Sequence, residues 1–407
     1  MKEFFQVTDI ETVLALRDRF AVVSQEQVPL NQALGCILVS DLRAQSDIPG
    51  FDRSTMDGFA VCASSTYGAS DGNPAYLTVL GSVQMGQTPD ISLGPGQAVR
   101  IATGGMLPAG ADSVVMVEHT ALLDETTIEV FRSVAPGQHV VAKDEDAARG
   151  QVLLPAGWRL RPQDLGYLAA NGICSVDVRR RPLVGILSTG DEIVPISETP
   201  QPGQVRDVNS YTLAGLVRDA GARPVPYGIV KDRYDDLLSA CRKALAETDM
   251  VLVSGGSSMG MRDLTVDVLA ALPESSILAH GVNISPGKPT ILAQCGPKAF
   301  WGLPGHVTSA MVVFLVLVRP FLSHIAGLAD KAPVTIKARL TRNLPSAQGR
   351  VDYIRVRLIQ KEEAYWAEPV LGASGLIRTM VEADGLIAVE MNCEGLEKGA
   401  QVDVRLH

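Results

Sequence analysis

Met250-Val251-Leu252-Val253-Ser254-Gly255-Gly256-Ser257-Ser258-Met259-Gly260 is the stretch on which the fold reading turns. The apolar run over 250–254 predicts a buried strand, and the amphipathic pattern over 264–271 predicts a helix, so the glycines lie in a strand-to-helix turn. The same texture extends both ways. Strands are predicted over 183–187 and 225–229, and helices over 210–220, with Asn209 as N-cap and Gly221 after it, and over 235–246. Strand-like segments around 277–284 and 290–293 and a last helix over 307–325 follow. Strands alternating with three-turn helices imply a parallel sheet covered on both faces, whose ligands bind where strands end and loops begin.

On either side the pattern changes. Residues 46–134 are rich in Gly, Pro and Ser with short β-prone runs at 75–79, 98–102, 113–118 and 127–131, which reads as a β-rich module. Helices are predicted over 11–23, with Thr8 and Asp9 as caps, and over 161–170, closed by Asn171-Gly172. From 333 onward the runs 334–340, 351–358, 365–370, 386–389 and 402–406 alternate and lack helix, as in a small β-barrel or sandwich.

At 407 residues the chain holds two or three domains of roughly 150 residues, or more smaller ones. With 46% hydrophobic and 20% charged residues it folds rather than staying disordered. A net charge of −9 supplies no field for nucleic acid or an anionic membrane, so an anionic ligand must be held by local chemistry. The six cysteines stand singly, without C-x-x-C spacing, and are expected to be small buried apolar residues in a reducing compartment. The run from Ala310 to Val318 stops at Arg319-Pro320, short of the roughly 18 residues that span a bilayer, and the expected location is the cytoplasm.

Each motif supports more than one chemistry. The loop Gly255-Gly256-Ser257-Ser258 can turn backbone N–H groups toward a phosphate at a helix start, or can be an ordinary turn. It lacks the Gly-Lys-Ser/Thr of a Walker loop. Residues 256–260 also fit G-x-S-x-G, which would make Ser258 the nucleophile of a serine hydrolase served by Asp263, Asp267 or Glu274 and by His280, His306 or His324. Against this stands the β-only texture of much of the upstream chain. Asp191-Glu192, Asp232 and Asp263 all follow strands or the glycine loop, so a parallel sheet would converge them on one crevice, where a Mg²⁺ ion with phosphate relieves carboxylate repulsion. Alternatively they cap the helices that follow. The turns Ser285-Pro286-Gly287-Lys288-Pro289 and Gly302-Leu303-Pro304-Gly305-His306 could fix the Lys288 ammonium toward an anion, or be stiff turns only. The segment Pro49 to Ala60 reads by itself as a β-turn region.

Taken together, PGFDRSTMDGFAV (49–61), RIATGGMLPAGADSVVMVE (100–118), LSTGDEIV (187–194), DVNSYTL (207–213), GIVKD (228–232), VSGGSSMGMRD (253–263), PGKPT (286–290), GLPG (302–305) and GRVDYIRV (349–356) resemble the molybdopterin molybdenumtransferase family, of the MoeA and gephyrin E-domain type. The resemblance implies a multi-domain α/β plus β fold. Its parts are a discontinuous helical N-terminal domain (1–46 and 137–180), a β-rich inserted domain (47–136), a central three-layer α/β domain of molybdopterin-adenylyltransferase type (181–327) and a C-terminal small β-barrel (328–407). It implies a homodimer whose active site is shared between subunits. The implied reaction is insertion of molybdate into adenylylated molybdopterin with Mg²⁺, releasing AMP. A molybdopterin adenylyltransferase and recipient molybdoenzymes are the implied further partners.

By position, the resemblance implies catalytic roles for Asp57, Asp146, Asp232 and Asp263, with Glu192, Asp232 and Asp263 as metal ligands. Substrate would be bound by Thr103, Gly255, Gly256, Ser257, Ser258, Lys288 and Ser374. The chain departs from the family pattern in three places. An Arg-rich G-x-x-[IV]-R-x-x-G-E-D segment is replaced by residues 137–146, with Lys143 its one basic residue; Gly281 and Ser285 stand where some members carry lysines; and GLPGNP becomes Gly302-Leu303-Pro304-Gly305-His306-Val307. The oxyanion site is therefore expected to be weaker or differently built. A non-catalytic cofactor-binding scaffold, as in the gephyrin branch, is the third reading, and it gives no reason for converging acids.

Overall fold

The computed structural model describes residues 7–255, 259–329, 333–361 and 363–407, with the side chains of 259–263 excepted. Its centre is a six-stranded sheet in the order Arg223–Val230, Leu183–Thr189, Met250–Gly255, Lys298–Leu303, Ile291–Cys295, Ser275–His280. Five strands run the same way and only Ile291–Cys295 runs opposite, so the last two pairings are antiparallel. The expected parallel sheet is thus corrected at one edge. The strand Lys298–Leu303, unread in the sequence, lies parallel to Met250–Gly255 and forms a hairpin with the preceding strand Ile291–Cys295, which makes this border antiparallel.

Near-continuous apolar runs explain this sheet: Val184, Ile186, Leu187 and Met250 to Val253 are all buried. Register then aligns the carboxyl ends, with Thr189 opposite both Val230 and Gly255, and Ser254 opposite Leu303. Helices Asn209–Asp219, Tyr234–Glu247 and Met259–Ala271 connect the strands. The first begins at Asn209 rather than after it, because the Asp207 carboxylate accepts the Ser210 N–H (3.1 Å) and so serves the helix start expected of Asn209.

The last helix runs from Val307 through a π-helical turn, Phe314–Val318, to Ile325. Its 19 residues are apolar and long enough to cross a membrane, yet 72% of that apolar window is buried inside the protein. Trp301 of the sheet meets Phe321 edge-on at 5.0 Å. The same core takes in Ile10, Val13 and Phe20 near the N-terminus and Met380 and Leu386 near the C-terminus, so both ends pack on the α/β unit. The N-terminal helix is shorter than expected, Ile10–Ala15 with a 3-10 turn to Arg19, and Asp9 caps it through the Thr12 N–H (2.8 Å).

The β-rich region forms a six-stranded sheet around Gly58–Val61, which lies between Ser113–Met116 and Gln97–Ile101. Residues 49–60 are therefore only partly a turn region, since their end is a buried strand. The C-terminal region closes into a five-stranded barrel, Val351–Lys361 pairing with both Ala364–Pro369 and Gly385–Val389, which settles barrel over sandwich. All six cysteines are free; Cys36, Cys241 and Cys295 are buried, but Cys62 and Cys393 are half-buried and Cys174 is exposed, contrary to expectation.

Asp164, buried in the helix Pro162–Ala170, gives this scaffold a pH signature. The Arg161 side chain, then the Trp158 indole N–H and the Arg161 backbone N–H, hold it near 2 against an ordinary 3.8. A carboxyl with a lowered folded pKa adds stability above its unfolded value that is lost as pH falls through the folded one. Asp164→Asn is expected to cost up to about 2 kcal/mol in urea unfolding at pH 7. The deficit should shrink between pH 3.8 and about 2.

Candidate functional site

At the carboxyl edge of the parallel strands lies a cavity of about 390 Å³. Ser188, Thr189, Ser254 and Gly255 form its strand-end floor, and Glu192, Asp207 and Asn209 stand on its wall. Gly255 is required by contact: its φ is +151°, and a Cβ there would lie 2.1 Å from the Thr189 carbonyl oxygen. Only glycine lets these two strand ends approach so closely. Gly190, at φ +154°, lets the Glu192 carboxylate fold back, since a Cβ at 190 would sit 2.8 Å from Glu192 Oε2.

Asp191 and Asp232 join strand ends rather than cap a helix. Thr189 Oγ1–H donates to Asp232 Oδ1 at 2.7 Å, tying the ends of two adjacent strands, and the Asp232 N–H reaches Asp191 Oδ1 at 3.4 Å. Asp207, to which the sequence reading assigned no role, is a buried carboxylate accepting from Ser188 Oγ–H (2.8 Å). Its signal was present in the Asp207-Val208-Asn209 turn after a strand-like segment, but a carboxylate at a helix start is ambiguous by itself. Asn209 donates from Nδ2 to the Gly305 carbonyl (2.9 Å) and so joins the wall to the Gly302–His306 turn. Gly256, Ser257 and Ser258 lie outside the described residues, and of Asp263 only the backbone, within the helix Met259–Ala271, is described.

A second cavity of about 560 Å³ brings together Lys288, Arg350, Ser285, Ser309 and Ser374. Arg350, unassigned by the sequence reading, is held at 2.9 Å by Asp352. Burial would raise that carboxyl, but Ser346, Ser285 and Arg350 together keep it below the usual range. His306 lines both cavities, and Gly375, next to Ser374, lines the first. The partition between them is therefore His306 with the Ser374-Gly375 loop. The Thr308 N–H donates to the Ser374 carbonyl (3.1 Å), docking this barrel loop on the last helix of the α/β unit.

Asp57 and Thr103 form a third group in the β-rich region. Both the N–H and the hydroxyl of Thr103 donate to Asp57 Oδ1, at 2.7 and 2.9 Å, which holds this exposed carboxyl below its ordinary pKa and keeps it ionised. The pairing of Val140–Val141 with Arg53–Ser54 lays the segment leading to Asp146 beside the Asp57 block. Neither of the two cavities is lined by any residue of 47–146.

Residues 8–172 match the MoeA N-terminal region (domain I and II), 185–324 a probable molybdopterin binding domain, and 337–406 the MoeA C-terminal region (domain IV). The molybdopterin molybdenumtransferase of Bacillus subtilis is 33% identical over 94% of this chain and 89% of its own. The chain belongs to the molybdopterin molybdenumtransferase (MoeA) family. The Nostoc molybdopterin molybdenumtransferase is 38% identical over 81% of this chain and 76% of its own, and a Methanocaldococcus jannaschii protein named for molybdopterin biosynthesis is 35% identical over 94% and 92%. A crystal structure of a MoeA protein from Pyrococcus horikoshii superposes with a TM-score of 0.85 at 31% identity, covering 99% of this chain and all of that one. This MoeA-family chain thus has the multi-domain α/β and barrel fold that the resemblance implied.

Proposed function

We propose that this protein is a Mg²⁺-dependent transferase that inserts molybdate into adenylylated molybdopterin and releases AMP. The observation that carries the reading is the pair of adjoining cavities. One combines a glycine strand end with Glu192 beside the Thr189–Asp232 pair, and the other combines Lys288, Arg350 and Ser374. The first suits a phosphoanhydride, the second a small oxyanion. A water oxygen attacks the adenylyl phosphorus, the P–O bond to the pterin's terminal phosphate breaks, and AMP leaves carrying the water oxygen while the phosphate stays on the pterin.

Glu192 and Asp232 are hard oxygen donors, and Mg²⁺ characteristically takes one or two carboxylates plus substrate phosphates, so the donor set fits that ion. Glu192, Asp232 and Asp263 would hold it. When bound it would neutralise phosphate charge as the P–O bond breaks. The chain's own groups do the remaining work. Gly255 lets backbone approach the phosphates, Thr189 fixes Asp232, and Lys288 with Arg350 and Ser374 hold the oxyanion. We place Asp57, Thr103 and Asp146 at the site of the partner subunit in a homodimer. An adenylyltransferase supplies the substrate and molybdoenzymes take the product.

The test is anaerobic incubation with adenylylated molybdopterin, Mg²⁺ and molybdate or tungstate. AMP release that needs all three components supports the reading, and its absence overturns it.

The hydrolase reading has no support. His306 pairs with Ser374, and His324 with the Phe20 carbonyl and Asp18, rather than with Asp267 or Glu274. A fluorophosphonate is expected to leave Ser258 unlabelled, because a serine that donates to an anion has no general base. Mass spectrometry showing stoichiometric adduct on Ser258 would reverse that conclusion.

A further inference from the structure

We propose that His306 is a positioning residue for oxyanion binding, acting through the Ser374 hydroxyl. This rests on reading the second cavity as the oxyanion site. His306 Nδ1 lies 2.8 Å from Ser374 Oγ, and either atom can donate, depending on where the imidazole proton resides. A serine hydroxyl has one proton. If Nδ1 accepts it, Ser374 has nothing left to offer an anion. If Nδ1–H donates to Ser374 Oγ, the hydroxyl proton is free to point toward an oxyanion in the cavity that Lys288 and Arg350 also line.

An oxyanion therefore selects the arrangement in which His306 is the donor, and His306 fixes the rotor of the hydroxyl that meets it. Arg350 is partly neutralised by Asp352, so a correctly turned neutral donor counts for more here than beside several free cations. The family pattern GLPGNP has an amide at this position, whose N–H₂ could donate in the same way.

His306 is exposed and is the N-cap residue of Val307–Val313, with no side-chain capping bond, so its substitution leaves the core untouched. That permits a series in which stability and function part company. Aspartate is a good N-cap, so His306→Asp should be at least as stable as wild type in thermal unfolding. Aspartate can only accept, however, and its charge repels the anion.

Steady-state AMP release would be followed for His306→Ala, His306→Asn, His306→Asp, Ser374→Ala, Lys288→Ala and the His306→Ala/Ser374→Ala double variant. His306→Ala is expected to raise the molybdate KM about tenfold, with kcat and the KM for adenylylated molybdopterin within about twofold. His306→Asn should recover most of the loss, and His306→Asp should be worse than alanine despite its stability. Ser374→Ala should match His306→Ala, and the double variant should be no worse than Ser374→Ala. Additive losses, failure of asparagine to rescue, or an effect confined to the adenylylated substrate would overturn the proposal. Should Ser374→Ala and Lys288→Ala raise the molybdate KM while His306→Ala does not, the role of His306 falls and the oxyanion cavity stands. If none of the three changes it, the cavity assignment falls as well.

Discussion

Asp232→Asn protein is expected to fold normally and to release AMP at least a hundredfold more slowly than wild type. The asparagine side-chain oxygen still accepts the Thr189 hydroxyl, so the 2.7 Å link between the two strand ends survives and Thr189, itself buried, keeps its partner. What is removed is one negative charge at the place where a cation and a phosphoanhydride would meet. Lewis-acid stabilisation of the departing phosphate is worth several kcal/mol, and each 1.36 kcal/mol lost is a factor of ten in rate. Raising Mg²⁺ should recover part of the loss, because a weakened ligand set binds the ion less tightly without abolishing the site. Urea unfolding within about 1 kcal/mol of wild type certifies the fold. Near-normal turnover at limiting Mg²⁺ in a folded Asp232→Asn protein would remove Asp232 from the ligand set, and Asp263→Ala, expected to be as inactive, tests the other acid.

The link between the ends of the first two strands was legible because a parallel sheet has one carboxyl edge. Once the runs over 183–187 and 225–229 read as strands, the residues after them had to lie side by side, as Thr189 and Asp232 do. What stayed hidden depended on contacts between distant segments. Gly58–Val61 reads as part of a turn because four residues carry no periodicity; it is a strand only because Ser113–Met116 and Gln97–Ile101 bond to its two edges. Lys298–Leu303 was missed for the same reason, lying between a Gly-Pro pair and a Pro-Gly turn. Barrel closure depends on Val351–Lys361 finding two partners, a fact of register rather than of composition. Among site residues, Glu192 and Asp232 carried a positional signal. Asp207 carried only the ambiguous signal of an acid at a helix start, and its role, like that of His306, arises from a partner 19 or 68 residues away that only the fold brings near.

Subunit mixing has the largest qualitative outcome. Asp57→Ala and Asp232→Asn proteins, each inactive alone, are expected to regain up to about a quarter of wild-type activity per total subunit when randomly recombined. Half of the dimers are then mixed, and each mixed dimer has one intact site of two if the β-rich region of one chain serves the α/β cavity of the other. The geometry motivates this. Asp57 is ionised, exposed and fixed by two Thr103 donors, while the cavities at the α/β edge take no lining from its region. A carboxylate held so rigidly toward solvent within one protomer has a clear use if a second protomer's site is placed against it. Tyr67, Tyr76, Met85 and Leu122 are also exposed in the same region, apolar surface of the kind association covers. If Asp57 acted within its own chain, mixed dimers would contain no intact site and recombination would restore nothing. Native mass spectrometry of differentially tagged chains establishes that exchange has occurred. Exchange without recovered AMP release would refute the shared site, and recovery near a quarter would exclude the single-chain alternative.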